Sequence, residues 1–140
     1  MAEVRRLLAG GADIKERGQR EASALHAAAE AGNEAMVLLL LAHFADLSAR
    51  DIDGKTSLQY AVCQGHVAVS QMLLQHGADV SAKDTELRSS LHYASCQGRK
   101  ALPLLLLQHG ADVSAKTATG FTPLHFSTLQ GTAQDLNPKP

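Results

Sequence analysis

Apolar and polar positions along the chain keep two rhythms at once. Within short stretches, leucines and alanines return at helical spacing, and the stretches themselves return at a fixed interval. Ser23-Ala24-Leu25-His26 recurs as Thr56-Ser57-Leu58-Gln59, Ser89-Ser90-Leu91-His92 and Thr122-Pro123-Leu124-His125, each 33 residues after the last. Gly32, Gly65, Gly98 and Gly131 keep the same step, as do the pairs Leu7-Leu8, Leu40-Leu41, Leu73-Leu74 and Leu106-Leu107. So do Gly11-Ala12-Asp13, Phe44-Ala45-Asp46, Gly77-Ala78-Asp79 and Gly110-Ala111-Asp112. Independent markers in one register, with no insertion between them, are the signature of a repeat architecture.

The pattern inside one unit predicts two short helices. Ser or Thr at 23, 56, 89 and 122 is a good N-cap, because its hydroxyl can accept from a free amide of the first turn. Pro123 falls at the first helical position, where a missing N–H costs nothing. Leu25, Leu58, Leu91 and Leu124 are expected to point inward. The small Ala28, Ala61, Ala94 and Ser127, three residues on, let neighbouring helices approach. Glycine at 32, 65, 98 and 131 ends the helix and reverses the chain. A second helix follows, with Val67, Val69, Met72 and Leu73 as its apolar positions in one unit. It stops at His76-Gly77 or His109-Gly110, where glycine can take the left-handed cap. A short extended piece such as Val80-Ser81-Ala82 and a turn such as Asp51-Ile52-Asp53-Gly54 lead to the next cap. Two such helices cannot bury their apolar faces alone, whereas stacked pairs share a continuous core.

The pattern resembles the ankyrin repeat, whose usual form runs Asp-x-x-Gly-x-Thr-Pro-Leu-His, small residues, Gly, a Leu-rich helix and Gly-Ala-Asp. The resemblance covers about residues 3–131. It divides them into a half unit (3–15), full units at 18–50, 51–83 and 84–116, and a partial unit (117–131), within a repeat domain 1–131 and ahead of a tail (132–140). It implies an all-α solenoid of stacked helix-turn-helix units, with hairpin-like finger loops projecting at right angles. The groove between fingers and first helices is the family's usual docking surface.

The chain departs from that form in several places. Phe44 stands where Gly77 and Gly110 stand, and a bulky residue in the left-handed region costs about 1–2 kcal/mol, so either the cap is rebuilt, the ring gains compensating contact, or a local strain is tolerated. Pro103 lies in the second helix of the third full unit, where a shortened or kinked helix is expected. Leu87 replaces the turn glycine Gly54 and should be exposed on a finger, and Glu21 replaces it in the first unit. The family's frequent Asn is Ser48, Ser81 and Ser114 here, so a modification of that Asn has no acceptor. After Gly131 no Leu-Leu pair follows and Pro138 prevents a full helix, so the last unit lacks a capping helix and fraying is expected after about residue 128. The first unit begins midway. Both ends support an alternative role as one segment of a longer solenoid.

Composition agrees with a Leu/Ala core: apolar residues make up 45%, aromatics 4%, and there is no Trp. The net charge is −1, from 13 Lys and Arg against 14 Asp and Glu, which gives no single-signed field for nucleic acid. The longest apolar run, residues 36–42, is far short of a membrane span, so no direct insertion is expected. Residues 1–6 carry no apolar segment behind their charges, so no signal peptide is expected. Two cysteines without a disulfide framework fit a reducing compartment, the cytoplasm or the nucleus.

Chemistry finds no foothold in the motifs. The seven histidines all fall on repeat positions: His26, His92 and His125 in the cap motif, His43, His76 and His109 before the second cap, and His66 after Gly65. They read as structural rather than as metal ligands or bases. Asp13, Asp46, Asp79 and Asp112 follow helix ends and are expected to bond to loop backbone. Cys63 and Cys96 are 33 residues apart on neighbouring first helices. Stacked helices lie about 8–10 Å apart, and a disulfide needs Cα atoms within about 7 Å, so free thiols are expected. No phosphate loop, nucleophile elbow, His-Glu-x-x-His or Cys-x-x-Cys is present. The reading is of a non-enzymatic chain with no catalytic residues, no cofactor and no metal.

What the fold leaves undictated can specify a partner. By the resemblance these positions are finger tips and the groove side of first helices: Arg20, Arg50, Ile52, Asp53, Lys55, Gln64, Lys83, Thr85, Glu86, Leu87, Arg88, Gln97, Lys116, Thr119 and Phe121. On the groove, Arg20, Arg50, Lys55, Lys83, Arg88 and Lys116 oppose Glu30, Asp53 and Glu86, a balance of +3 on a chain of net −1. The expectation is a monomer that holds a protein partner of acidic character, with Ile52, Leu87 and Phe121 as apolar anchors.

Overall fold

The computed structural model describes residues 23–97 and 100–125. Helices pair along the chain: α1 (Ala24–Ala31) with α2 (Glu34–Ala42), α3 (Ser57–Cys63) with α4 (Val67–Gln75), and α5 (Ser90–Ser95) with α6 (Ala101–Gln108). First helices stack in one row, α1 on α3 and α3 on α5; second helices stack in another, α2 on α4 and α4 on α6. Among the described residues the sheet content is one antiparallel bridge, Lys83 with Ser89, at the base of a finger. The arrangement is an all-α solenoid of stacked helix pairs, as the sequence pattern implies.

The predicted cap residues start the first helices. Ser23 and Thr56 accept from the amides of His26 and Gln59, and the side chains of those two residues accept from the cap amides in return. At Ser89 the amide donates to His92 Nδ1 at 3.1 Å. Gly32 (φ 70°) and Gly65 (φ 77°) then turn the chain from first to second helix.

Leu25, Leu58 and Leu91 are buried between the two rows, and Ala28, Ala61 and Ala94 let the first helices meet. Val37, Leu40, Val69, Leu73, Leu102 and Leu106 complete the core from the second helices. Each buried leucine contributes about 2 kcal/mol of transfer free energy. Two hydroxyls in this core, Ser57 Oγ and Ser90 Oγ, have no hydrogen-bond partner.

The second helices end alike. In the last turn of α4, Gly77 N donates to Leu74 O and Ala78 N to Leu73 O. Phe44 N to Leu41 O and Ala45 N to Leu40 O repeat that pattern in α2, with Phe44 at φ 62°. The cap is therefore not rebuilt around Phe44, and its ring, 88% exposed, gains no compensating cover. The strain is simply carried. Pro103 shortens its helix as expected: α6 begins at Ala101, whereas the residue 33 before Lys100 already belongs to α4. Pro103 is the third helical residue, so its missing N–H falls among amides that have no acceptor inside a helix.

Two expectations are corrected. Leu124 does not point inward but is 62% exposed, because among the described residues no later unit lies over it. The piece at 80–82 is not extended: Ser81 N donates to Asp79 Oδ1 at 2.8 Å and Ala82 N to Asp79 O at 3.3 Å, which closes a turn. The readings of Asp13, Glu21, Gly98, Ser127, Gly131, Pro138, the half unit 3–15 and the tail lie outside the described residues.

Candidate functional site

Among the described residues three finger loops follow one another along the stack, at residues 51–55, 84–88 and 117–121. Each is built on its first residue. Asp51 Oδ1 accepts from the amides of Asp53 and Lys55, both at 2.9 Å. Asp84 Oδ1 accepts likewise from Glu86 and Arg88. In the third finger Thr117 Oγ1 accepts from Phe121 N at 3.1 Å. The remaining carboxylate oxygens of Asp51 and Asp84 accept from the hydroxyls of Tyr60 and Tyr93. Both aspartates are buried and both are satisfied.

The last residue of each finger is held from below. Lys55 O accepts from His26 Nε2 at 2.8 Å, Arg88 O from Gln59 Nε2 at 2.9 Å, and Phe121 O from His92 Nε2 at 2.9 Å. Because Nδ1 of His26 and His92 faces a backbone N–H, Nδ1 is the acceptor and Nε2 carries the proton. Gln59 does the same work with an amide. Burial pushes the His92 pKa below the ordinary histidine value, against the bonds it makes to the carbonyls of Phe121 and Ala115. Consecutive fingers are also tied to each other: Thr85 N donates to Asp53 O and Ala118 N to Glu86 O, both at 2.9 Å. The finger row is thus a fixed backbone surface.

The side chains on that surface differ in freedom. Ile52, Thr85, Glu86, Leu87 and Thr119 are exposed on the fingers, and Lys116 is exposed just before the third. Leu87 takes the left-handed conformation, φ 59°, that its glycine counterpart Gly54 takes at 76°. Asp53 and Lys83 are half-buried. Arg50 donates to the carbonyls of Lys83 and Gly54, bridging two fingers. Arg88 is bound to Asp84, Nε to Oδ2 at 2.9 Å, and stands over the Tyr93 ring at 5.4 Å. Lys55 extends over Tyr60 and Tyr93, its ammonium 5.8 and 5.3 Å from their centroids. Phe121 is 39% exposed and packs on His125. On the first helices, Gln64 is exposed. Gln97 is fastened to Val62 O and Cys63 O of the preceding unit. Arg20 lies outside the described residues.

The groove therefore gathers most of the expected positions, with two revisions. Arg88 is not an uncommitted cation, and the Gln97 amide is already bonded to carbonyls of the preceding unit. Tyr60 and Tyr93 went unnoticed in the sequence, although their 33-residue spacing and their place directly after the Leu-Gln or Leu-His pair mark them as one repeat position.

The groups that invited chemistry are occupied by structure. Nδ1 of His43, His76 and His109 donates to the carbonyl four residues earlier, at 2.8–3.0 Å. His66 Nε2 donates to Glu30 O at 2.9 Å. Asp46, Asp79 and Asp112 each accept from the amide two residues on. Cys63 and Cys96 are free and half-buried. Burial pushes the Cys63 thiol up to about 11, with Lys55 opposing, and raises Cys96 as well. Neither thiol is activated. Among the described residues no group of three potential ligands could hold a metal ion.

Comparison with known families agrees with this geometry. A family model for ankyrin repeats in three copies matches residues 2–84, and one for a single ankyrin repeat matches residues 87–118. The chain belongs to the ankyrin repeat family. A search of curated proteins found no match. Ankyrin repeats are generally non-enzymatic protein–protein interaction modules. Among the described residues no helix is long and apolar enough to cross a membrane.

Proposed function

We propose that this ankyrin repeat chain is an adaptor module that holds a partner protein along its finger row and first helices. The observation that carries the reading is the division of labour at the fingers. Backbone groups fix the loops and tie them to one another, while the side chains of Ile52, Leu87 and Phe121 remain exposed by 39–61%. Ordered apolar side chains on a rigid backbone need little further ordering on association, which favours binding. Exposed or half-buried Arg50, Lys83 and Lys116 outnumber Asp53 and Glu86 around them, which supports an acidic partner. A site of about 800 Å² on each side is within reach of three fingers.

The test places a photo-cross-linking residue at Ile52 or Thr85 on the fingers, and at Gln71 or Leu104 on the second helices. Cross-links to a co-purified partner from the fingers alone are expected. Cross-links from the second helices alone would overturn the proposal.

A second reading, a segment of a longer stack, is favoured by Leu107 and Leu124. They are 41% and 62% exposed, whereas their counterparts Leu74 and Leu91 are 6% and 3% exposed. A monomeric chain with one cooperative melt supports the module, and self-association through these leucines supports the segment.

A further inference from the structure

Lys55 and Arg88 occupy the same repeat position on adjacent fingers, yet their charges have different fates. Arg88 reaches back to the aspartate of its own finger and pairs with it at 2.9 Å. Lys55 does not. The free oxygen of Asp51 is taken by the Tyr60 hydroxyl, and among the described residues no carboxylate lies within ion-pair distance of the Lys55 ammonium. That ammonium rests instead on two ring faces, Tyr60 at 5.8 Å and Tyr93 at 5.3 Å, one from its own unit and one from the next. A ring face attracts a cation but neither neutralises it nor accepts its hydrogen bonds. Lys55 is thus a half-buried cation, laid on two rings and without an ion-pair partner among the described residues.

We infer that Lys55 is the anchor of the groove and receives an aspartate or glutamate side chain from an extended segment of the partner protein. This rests on the groove reading proposed above. Three features support it. The Lys55 backbone is held on both sides, its amide by Asp51 and its carbonyl by His26, so little order remains to be imposed on binding. The two rings restrain the side chain, its ammonium lying 5.8 and 5.3 Å from their centroids. The nearby carboxylates are already committed, Asp51 to the Tyr60 hydroxyl and Asp84 to Arg88 and the Tyr93 hydroxyl, and the half-buried thiols of Cys63 and Cys96 are neutral. A carboxylate arriving there meets a cation that water screens only partly, so the pair is stronger than one at a finger tip. The rings give apolar neighbours of that carboxylate a surface to cover.

The probe is a phage-displayed library of random dodecapeptides, selected in parallel on the full chain and on its Lys55→Gln, Lys55→Glu and Ile52→Asp variants. Lys55→Gln should stay folded with a midpoint only a few degrees below the wild type, because the hydrogen bonds at this position are made by backbone and only the two cation–ring contacts are lost. Peptides selected on the wild type should share an Asp or Glu at one position and lose about tenfold in affinity on Lys55→Gln. Lys55→Glu should select Lys or Arg at that position. Peptides that weaken on Ile52→Asp but ignore Lys55→Gln, or carry no common carboxylate, would overturn the anchor and leave the groove reading standing. Peptides indifferent to all these changes, or no enriched peptide, would sink both.

Discussion

Ser57 and Ser90 stand at the first position of α3 and α5, fully buried, each with a hydroxyl that meets no partner. The same repeat position holds Pro123 later in the chain, where the ring is buried. Proline should fit at both serines. The amide of a first helical residue has no acceptor inside its helix, so nothing is lost when it disappears. The preceding residues are already extended, Thr56 at ψ 170° and Ser89 at ψ 171°, as a following proline requires. Two gains add. An orphaned buried hydroxyl costs about 1–3 kcal/mol, and proline at a compatible site restricts the unfolded chain for a further 0.4–1 kcal/mol or so. Part of the sum is lost to imperfect packing of the larger ring, which leaves about 1–2 kcal/mol for each substitution. For a chain of this size that is about 3–8 °C in Tm. Thermal unfolding of Ser57→Pro, Ser90→Pro and the double variant, followed by circular dichroism, measures it. Ser57→Ala isolates the hydroxyl and should still raise Tm. A fall in Tm for Ser57→Ala would show that the hydroxyl has a partner, an ordered water being the obvious one, and would refute the reasoning.

Other consequences are open to the same assay. Phe44→Gly should stabilise by about 1 kcal/mol, because it relieves the left-handed backbone at φ 62° and sacrifices only an exposed ring; an unchanged midpoint in urea would show that the strain is not there. Gly32→Ala and Gly77→Ala both force alanine into positive φ, but a Cβ at Gly32 would sit 2.7 Å from the His66 ring and one at Gly77 would meet nothing. The first should cost about 2–3 kcal/mol and the second about 1 kcal/mol, and equal losses would contradict the contact. The lowered pKa of His92 makes stability depend on acid: the unfolded chain binds its proton first, so the contribution is whole above about pH 6.5 and is lost as pH falls through the folded value. His92→Gln, which copies Gln59, should flatten that part of the profile in urea titrations between pH 7 and pH 5 or so, and an unchanged slope would assign it elsewhere.

What the sequence disclosed and what it hid have separate physical causes. Helix starts, helix ends and the leucine and alanine core were legible because each depends on one residue type at one spacing. Ser23, Gly32 and Leu25 need no knowledge of their neighbours in space. The strain at Phe44 was legible for the same reason, since backbone conformation is a property of the position. Leu124 was misread because burial belongs to the neighbour, and the rule for a middle unit does not extend to one without a described unit above it. The site was less legible still. Arg50, Lys55, Lys83, Arg88 and Lys116 look alike as charges in a list. Only coordinates show that Arg88 is paired within its finger, that Arg50 bridges two carbonyls, and that Lys55 lies on rings from two units.

The finger architecture explains how such variety is tolerated at a position whose backbone does not vary. At 55, 88 and 121 the carbonyl is the structural group, and it accepts from a first-helix side chain of the unit before it. The donor is histidine twice and glutamine once. What the stack requires is therefore an N–H at the right height, with an acceptor on the same side chain for the cap amide, rather than an imidazole. Because that demand falls on the carbonyl, the side chain above it is released, and the chain places Lys, Arg and Phe there in successive units. A repeat protein can change what it binds without changing how it stands, provided that its fold is written in the backbone of the finger and its recognition in the side chains. Tyr60 and Tyr93 sit on the boundary between the two. Each hydroxyl closes the finger through a buried aspartate, and each ring lies under a cation, Lys55 over Tyr60 and both Lys55 and Arg88 over Tyr93. Replacement by phenylalanine touches only the first role and replacement by leucine touches both, so the pair of substitutions separates holding the finger from holding the partner.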